Sequence, residues 1–273
     1  MPESRPHLNG ARNGAGPAAP TPTPTPTPPA AATPASSLPV LYHALEPLAP
    51  ERHGTLRVRD AGYAFAAAAH AIPLMAEEFP AAARSLPIVF AAQPPHLPVA
   101  LTGLASGRNG FVTSTGGWRP GAYVPAYLRR YPFLLVRARP EAEQLVLCLD
   151  PQAPQVSEEA GAPLFDAAGQ PTAQLQHVLG FARAIEEGSQ RTRVMTERLH
   201  RLGLLKPMVL QVPGPGGPLR VDGFFAVDRA GLTALPGDQF LEFRANGWLD
   251  AIYAHLLSLA GLVDLARART PRR

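Results

Sequence analysis

The segment that most constrains this chain runs Gly116-Gly117-Trp118-Arg119-Pro120-Gly121-Ala122-Tyr123-Val124-Pro125-Ala126-Tyr127-Leu128-Arg129-Arg130-Tyr131-Pro132-Phe133. It sets one Trp, three Tyr and three Arg among glycines and prolines, a density found nowhere else in the sequence. Gly116-Gly117 reads as a turn after the β-type run Phe111-Val112-Thr113. Pro125 suits the first position of a short helix, where its missing N–H would be unpaired anyway. Pro132 excludes Tyr131 from the helical region and so ends that helix. Phe133 to Val136 then reads as a buried strand. The expected shape is a corner of strand, turn, helix and strand that carries aromatic and arginine side chains. Nothing in it announces a reaction.

The rest of the chain must supply a body for that corner. Residues 1–38 cannot do so: Thr21 to Pro29 is a Thr-Pro repeat flanked by Gly, Ala and Ser, a composition that favours extended polyproline geometry and buries little. This stretch is expected to be a disordered tether, and Arg267 to Arg273 a basic tail. The region between them, 39–266, is long enough to bury a sizeable core as one large domain. The formal charge is +4, carried by 25 Lys and Arg of which Lys206 is the only lysine. This arginine bias accompanies abundant Ala and Pro, so it reads as a coding bias rather than a nucleic-acid footprint, and no nucleic-acid partner is expected. Cys148 is the one cysteine, which rules out an intramolecular disulfide. Its neighbours Leu145-Val146-Leu147 and Leu149 make it a buried, unreactive thiol. No run approaches the ~18 uninterrupted apolar residues of a spanning helix, so no transmembrane segment is expected. The N-terminus has no apolar core of a signal peptide. The expected location is the cytoplasm, with the cell envelope or surface, reached without a cleavable signal, as the alternative.

In chain order, Arg57 to Ala69 reads as a strand with helix as its competitor, and Leu74 to Leu86 as a short helix with acids early and Arg84 late. Ile88-Val89-Phe90, Val99-Ala100-Leu101 and Phe111-Val112-Thr113 are spaced as a meander. Phe133 to Ala138 and Leu145 to Leu149 form a hairpin. Pro163 to Pro171 is a loop whose Asp166-Ala167-Ala168-Gly169 fits a type I turn. Thr172 to Leu202 is the longest helical signal. Thr172 is its cap, Gly203 its terminator, and one stripe runs from Leu175 through Val178, Ala182 and Ile185 to Met195, Leu199 and Leu202. Gly188 is a candidate bend in it. Met208 to Val212 and Leu219 to Val227 bracket a Gly/Pro loop as a hairpin. Asp228 caps a short helix, and Phe240 to Asn246 and Leu249 to Leu262 are two more. Strands followed by a long amphipathic helix, a hairpin and a C-terminal helical segment predict an α+β fold with antiparallel strands.

Most familiar chemistries are missing. The eight His form no His-x-His or His-Glu-x-x-His pattern, so no metal site is expected. There is no Gly-x-Ser-x-Gly elbow, and a lone lysine leaves no Ser-x-x-Lys. Ser114-Thr115-Gly116-Gly117 lacks the lysine and spacing of a phosphate loop. Gly214-Pro215-Gly216-Gly217 joins two strands, unlike a dinucleotide fingerprint. Glu158-Glu159 and Glu186-Glu187 are neighbours that do not face each other. No catalytic residue and no cofactor is therefore named. Trp118, Arg119, Tyr123, Tyr127, Arg129 and Arg130 remain, since aromatics with arginine can line a pocket for a sugar, a carboxylate or a peptide. The competing reading packs Tyr127, Leu128 and Tyr131 in the core and leaves Arg129 and Arg130 in water.

Several blocks, in this order, resemble the bacterial SapC family. They are Ile88-Val89-Phe90, Val99 to Leu104, Gly117-Trp118 through Tyr123-Val124-Pro125 and Arg129-Arg130-Tyr131-Pro132-Phe133, Pro163-Leu164-Phe165-Asp166, and Gly223-Phe224-Phe225-Ala226-Val227-Asp228. The resemblance runs from about Leu41 to Ala266. It implies an association with paracrystalline surface layers and brings no reaction or catalytic residue with it. A peptide-transporter permease shares the name and is unrelated; its spans have no counterpart here. The expectation is a non-catalytic surface-layer-associated or accessory binding protein, acting through a protein partner or self-assembly. The rival is an enzyme, or an enzyme's accessory factor, with a small-molecule pocket near Trp118 and Arg129.

Overall fold

The computed structural model describes residues 38–137, 144–212 and 218–268. Of the tether expected over residues 1–38 only Leu38 is described, and of the tail expected from Arg267 only Arg267 and Ala268, which end the last helix; the β-hairpin connection 138–143 and the Gly/Pro loop 213–217 lie outside the described residues.

The chain enters through short elements: β1 (Glu46–Pro47), α1 (Pro50–His53) and β2 (Arg57–Val58). The strand expected over Arg57 to Ala69 therefore stops at its second residue. Asp60-Ala61-Gly62 turns instead, with Gly62 at φ 64° and its N–H bonded to the Asp60 carboxylate, and a 3₁₀ turn follows at Ala64–Ala66. The six alanines of this stretch specify neither strand nor helix, so local turn chemistry prevails. Next come β3 (Ala71–Pro73), a 3₁₀ turn at Ala76–Glu78 that leads into α2 (Phe79–Ala82), β4 (Ile88–Ala91), β5 (Pro98–Leu101), α3 (Ala126–Arg129), β6 (Phe133–Arg137) and β7 (Leu145–Leu149). Two short strands, β8 (Val156–Ser157) and β9 (Ala162–Pro163), precede the long helix α4 (Ala173–Arg201). The hairpin of β10 (Leu205–Val212) and β11 (Leu219–Val227) is followed by α5 (Arg229–Thr233), α6 (Gly237–Ala245), α7 (Trp248–Ser258) and α8 (Gly261–Ala268).

Pairing is antiparallel throughout, so the fold is α+β. The main sheet has the order β10-β11-β4-β5-β3, and two small sheets are ordered β1-β7-β6 and β8-β2-β9. Of the expected meander, β4 and β5 pair, but Phe111-Val112-Thr113 makes only a single bridge between Val112 and Trp118. A β-bulge interrupts the β10–β11 register between Met208 and Leu210, where Val209 stands against Asp222 and Gly223, and the φ of 84° at Gly223 suits glycine.

The helix α4 forms as its stripe demands. The Thr172 hydroxyl accepts the Leu175 N–H, and Gly203 takes φ 65° just beyond the end. It runs unbroken through Gly188. A Cβ there would stand 2.6 Å from Met75 Sδ, so this glycine admits a close neighbour rather than a bend. The stripe buries Leu175, Ala182, Ile185, Met195 and Leu199.

Three apolar clusters result. The largest joins β4, β5 and β11 to α2, α7 and the C-terminal half of α4 around Phe79, Phe90 and Met195. A second gathers Tyr42, Ile72, Tyr127, Leu128 and Tyr131. A third, around Phe133, Leu149 and Leu164, sits under the start of α4. Trp118 packs against both of the first two.

The fully buried His255 fastens α7 to the main sheet. Its Nε2 accepts the Val227 N–H at 3.0 Å, so Nδ1 carries the proton and donates to the Ile88 carbonyl at 2.8 Å. Ser258 Oγ accepts the Ile88 N–H and donates to the His255 carbonyl. Burial pushes the imidazole pKa down to about 4, and the bond to Ile88 opposes that only in part. By length and composition, Trp248–Arg267 is apolar enough to cross a bilayer. Here a turn at Leu259–Ala260 divides it, and Ala251, Ile252, Ala254, Leu262 and Leu265 face the core.

Candidate functional site

The corner folds around two backbone devices. Gly116, at φ 79°, lets its carbonyl accept the Tyr63 N–H at 2.7 Å, and a side chain there would press on Ala64. Thr113 Oγ1 then accepts the Gly117 N–H. These bonds aim Trp118 inward. Its ring stacks on Phe111 at 5.6 Å, meets Tyr63 at 5.6 Å, and its indole N–H donates to the Tyr123 carbonyl. Arg119 lies over the other part of the same platform, 4.3 Å from the Phe111 ring, and donates to the Gly110 carbonyl. Trp118 and Arg119 thus hold a loop around Phe111.

The second device is a buried carboxylate that sequence reasoning overlooked. Glu78 closes the 3₁₀ turn by accepting the Met75 N–H on Oε2 at 2.9 Å. Its Oε1 accepts the Tyr123 hydroxyl at 2.9 Å and the Ala126 N–H at 2.7 Å. Pro125 stands just before α3 rather than inside it, so the Ala126 N–H is the first free donor of the helix, and Glu78 satisfies it across 48 residues of chain. The sequence signal was present: a short helix beginning after proline lacks a capping side chain of its own. Burial, followed by the adjacent Glu78 carboxylate, pushes the Tyr123 phenol up to about 12, against the smaller opposing influence of Arg129.

With α3 held this way, Tyr127 turns into the core and donates to the Val40 carbonyl at 2.8 Å. Burial raises its pKa as well. The Arg130 guanidinium carbon stands 4.3 Å from the centre of that ring, and the group engages the hydroxyls of Tyr42 and Tyr127. Arg130 Nε is buried without a hydrogen-bond partner. Arg129 is exposed, 5.2 Å from the Phe181 ring on α4 and 6.0 Å from the Tyr123 ring, with a long contact of 3.4 Å to the Tyr123 hydroxyl. Among the described residues, neither arginine forms an ion pair.

Two clefts flank α3. The smaller, about 120 Å³, is bounded by Glu78, Tyr127, Arg130, Ser189 and Thr192. The larger, about 470 Å³, opens between α3 and the first turns of α4 and includes Arg129, Arg130, Gln174, His177 and Phe181. Among the described residues, no acidic side chain lines the larger one. Of the six residues singled out in the sequence, Tyr123, Tyr127, Arg129 and Arg130 therefore gather beside these clefts, while Trp118 and Arg119 stand on the Phe111 side. His177, on α4, is the addition that only the fold brings to the pair of arginines.

Among the described residues, no group of three or more His, Cys, Asp or Glu side chains is placed to hold a metal ion. Cys148, on β7, is buried away from both clefts, and burial raises its pKa. No curated protein and no solved structure matches the chain. The SapC family model matches residues 48–265, from just after β1 to α8, and the chain belongs to the SapC family.

Proposed function

We propose that this SapC-family chain is a non-catalytic accessory binding protein that holds an anionic group of its ligand between Arg129, Arg130 and His177. One observation carries the reading. Among the described residues, two guanidinium groups with no carboxylate partner share a cleft that no acidic side chain lines, an arrangement that favours a carboxylate or phosphate oxygen and disfavours a cation. Tyr123 and Tyr127 are occupied by their hydrogen bonds to the Glu78 carboxylate and the Val40 carbonyl, so they act as scaffold. Association with a surface layer at the cell envelope is the role proposed for this binding.

The test combines location with the arginines. Fractionation of the native host should place the wild-type chain with the envelope, and Arg129→Gln with Arg130→Gln should release it into the soluble fraction while the fold, followed by circular dichroism, persists. A wild-type chain found wholly in the soluble fraction would remove the envelope role.

One feature favours an enzyme instead: Arg129 and Tyr123 lead to a buried carboxylate. Glu78, however, already accepts three hydrogen bonds from two backbone N–H groups and a phenol. A carboxylate so engaged is poorly placed to take a substrate proton. Turnover abolished by Glu78→Gln in a chain of unchanged stability would restore the enzyme reading.

A further inference from the structure

The larger cleft is mixed in character. Arg129, Arg130 and His177 line it together with the apolar Val58, Val178 and Phe181. At about 470 Å³ it falls within the ~300–1,000 Å³ of sites that enclose small molecules. The cationic and apolar parts are adjacent, because Arg129 stands 5.2 Å from the Phe181 ring. A small, strongly hydrated anion such as phosphate would satisfy the arginines but leave the apolar walls wet. A neutral hydrocarbon would cover the walls and strand the guanidinium groups.

Arg130 adds a second, independent indication. Its guanidinium is pinned against the Tyr127 ring, so its fork is fixed in direction before any ligand arrives. Its Nε is buried and, among the described residues, has no hydrogen-bond partner, so that side of the guanidinium is withdrawn from water and the charge is costly to leave uncompensated. A planar carboxylate offers two acceptor oxygens at the spacing of that fork.

We infer, building on the anion-binding reading above, that the cleft between α3 and α4 takes a free acyl or aryl carboxylate, with its acid group on Arg129 and Arg130 and its apolar body along Val58, Val178 and Phe181. The body adds area-proportional affinity, and the acid adds charge-assisted hydrogen bonds. Neither part alone fills the site.

Isothermal titration of the full chain with octanoate, octanol, acetate and phosphate at constant ionic strength tests this. Octanoate should bind at least tenfold more tightly than any of the other three. Arg129→Gln should weaken octanoate by roughly ten- to a hundredfold, the range for a hydrogen bond to a charged group. Arg130 is half-buried, so Gln174→Glu, an exposed substitution at the cleft edge, is the second variant. It should also weaken octanoate at least severalfold without changing the fold. Acetate or phosphate binding as tightly as octanoate, with the same dependence on Arg129, would overturn this inference while leaving the anion-binding reading intact. Absence of any anion binding that depends on Arg129 or Gln174 would overturn both. A leucine-terminated peptide that displaces octanoate, and fails to do so when its C-terminus is amidated, would replace the free acid with a protein terminus as the ligand.

Discussion

Replacing His255 by alanine tests the joint between α7 and the main sheet. The substitution strands two backbone groups in a dry core, the Val227 N–H and the Ile88 carbonyl. Each buried group left unpaired costs about 1–3 kcal/mol. The imidazole also packs edge-on against Phe90 at 5.1 Å, and that contact goes too. The expected loss is about 3–5 kcal/mol, a large part of the ~5–15 kcal/mol that holds a typical domain together. The pH dependence supplies the sharper signature. The folded pKa, about 4, lies below the ordinary 6.5, so the unfolded chain takes up the proton first as pH falls. The contribution is fully present above pH 6.5 and is lost progressively as pH falls toward and through 4. Displacement from 6.5 to about 4 corresponds to about 3 kcal/mol in all. Urea denaturation of wild type and variant, followed by circular dichroism in buffers spanning this range, gives the difference directly and cancels the carboxylates common to both. That difference should shrink as pH falls from 6.5. A gap constant with pH would refute the neutral, doubly bonded His255 described above.

Two further perturbations test the corner, and a third tests β7. Trp118→Ala removes the ring that stacks on Phe111 and joins two apolar clusters. It should cost ~3 kcal/mol and lower the Tm by ~6–12 °C in a thermal melt, and an unchanged Tm would return Trp118 to the list of ligand-facing residues. Glu78→Gln places an amide donor among three donors and should destabilise by ~2–4 kcal/mol in urea; full stability would mean that α3 is held by something else. Cys148 should react with a thiol reagent many times more slowly in the native state than in denaturant, and rapid native labelling would contradict its buried place on β7.

What the sequence revealed and what it concealed divide along the range of the interactions involved. The helix α4 was legible because its apolar stripe repeats over eight turns and its cap and terminator, Thr172 and Gly203, lie next to its ends. The β6–β7 hairpin, the Asp166 turn and the Asp228 cap were legible for the same reason. The misread stretch, Arg57 to Ala69, is rich in alanine, which satisfies helical and extended patterns alike, so the Asp60–Gly62 turn decided it. The single helix expected over Leu249 to Leu262 breaks at Leu259–Ala260, where Gly261 approaches Pro87 closely enough that a Cβ would sit 3.3 Å from its ring. At the site, local sequence located the arginine pair but not its setting. Glu78 reaches α3 from another part of the chain, and His177 joins the cleft only because α4 packs beside β6. Trp118 and Arg119, adjacent in sequence to the other candidates, were drawn away by Phe111.

The two ends of the main sheet bear on how copies of this chain can meet. A strand at the margin of a sheet offers a row of amide and carbonyl groups to any other chain that lies alongside. Here both margins carry a proline: Pro207 in β10 and Pro73 in the three-residue β3. Neither proline has a donor to contribute, and Lys206 adds a charge beside the first. A neighbouring copy that tried to extend the sheet would find a gap in the ladder at each side. Side-by-side fusion into a continuous cross-β array is disfavoured by construction. If these molecules form an ordered layer, side-chain surfaces must hold it together, and such a lattice could be dismantled without unfolding its subunits.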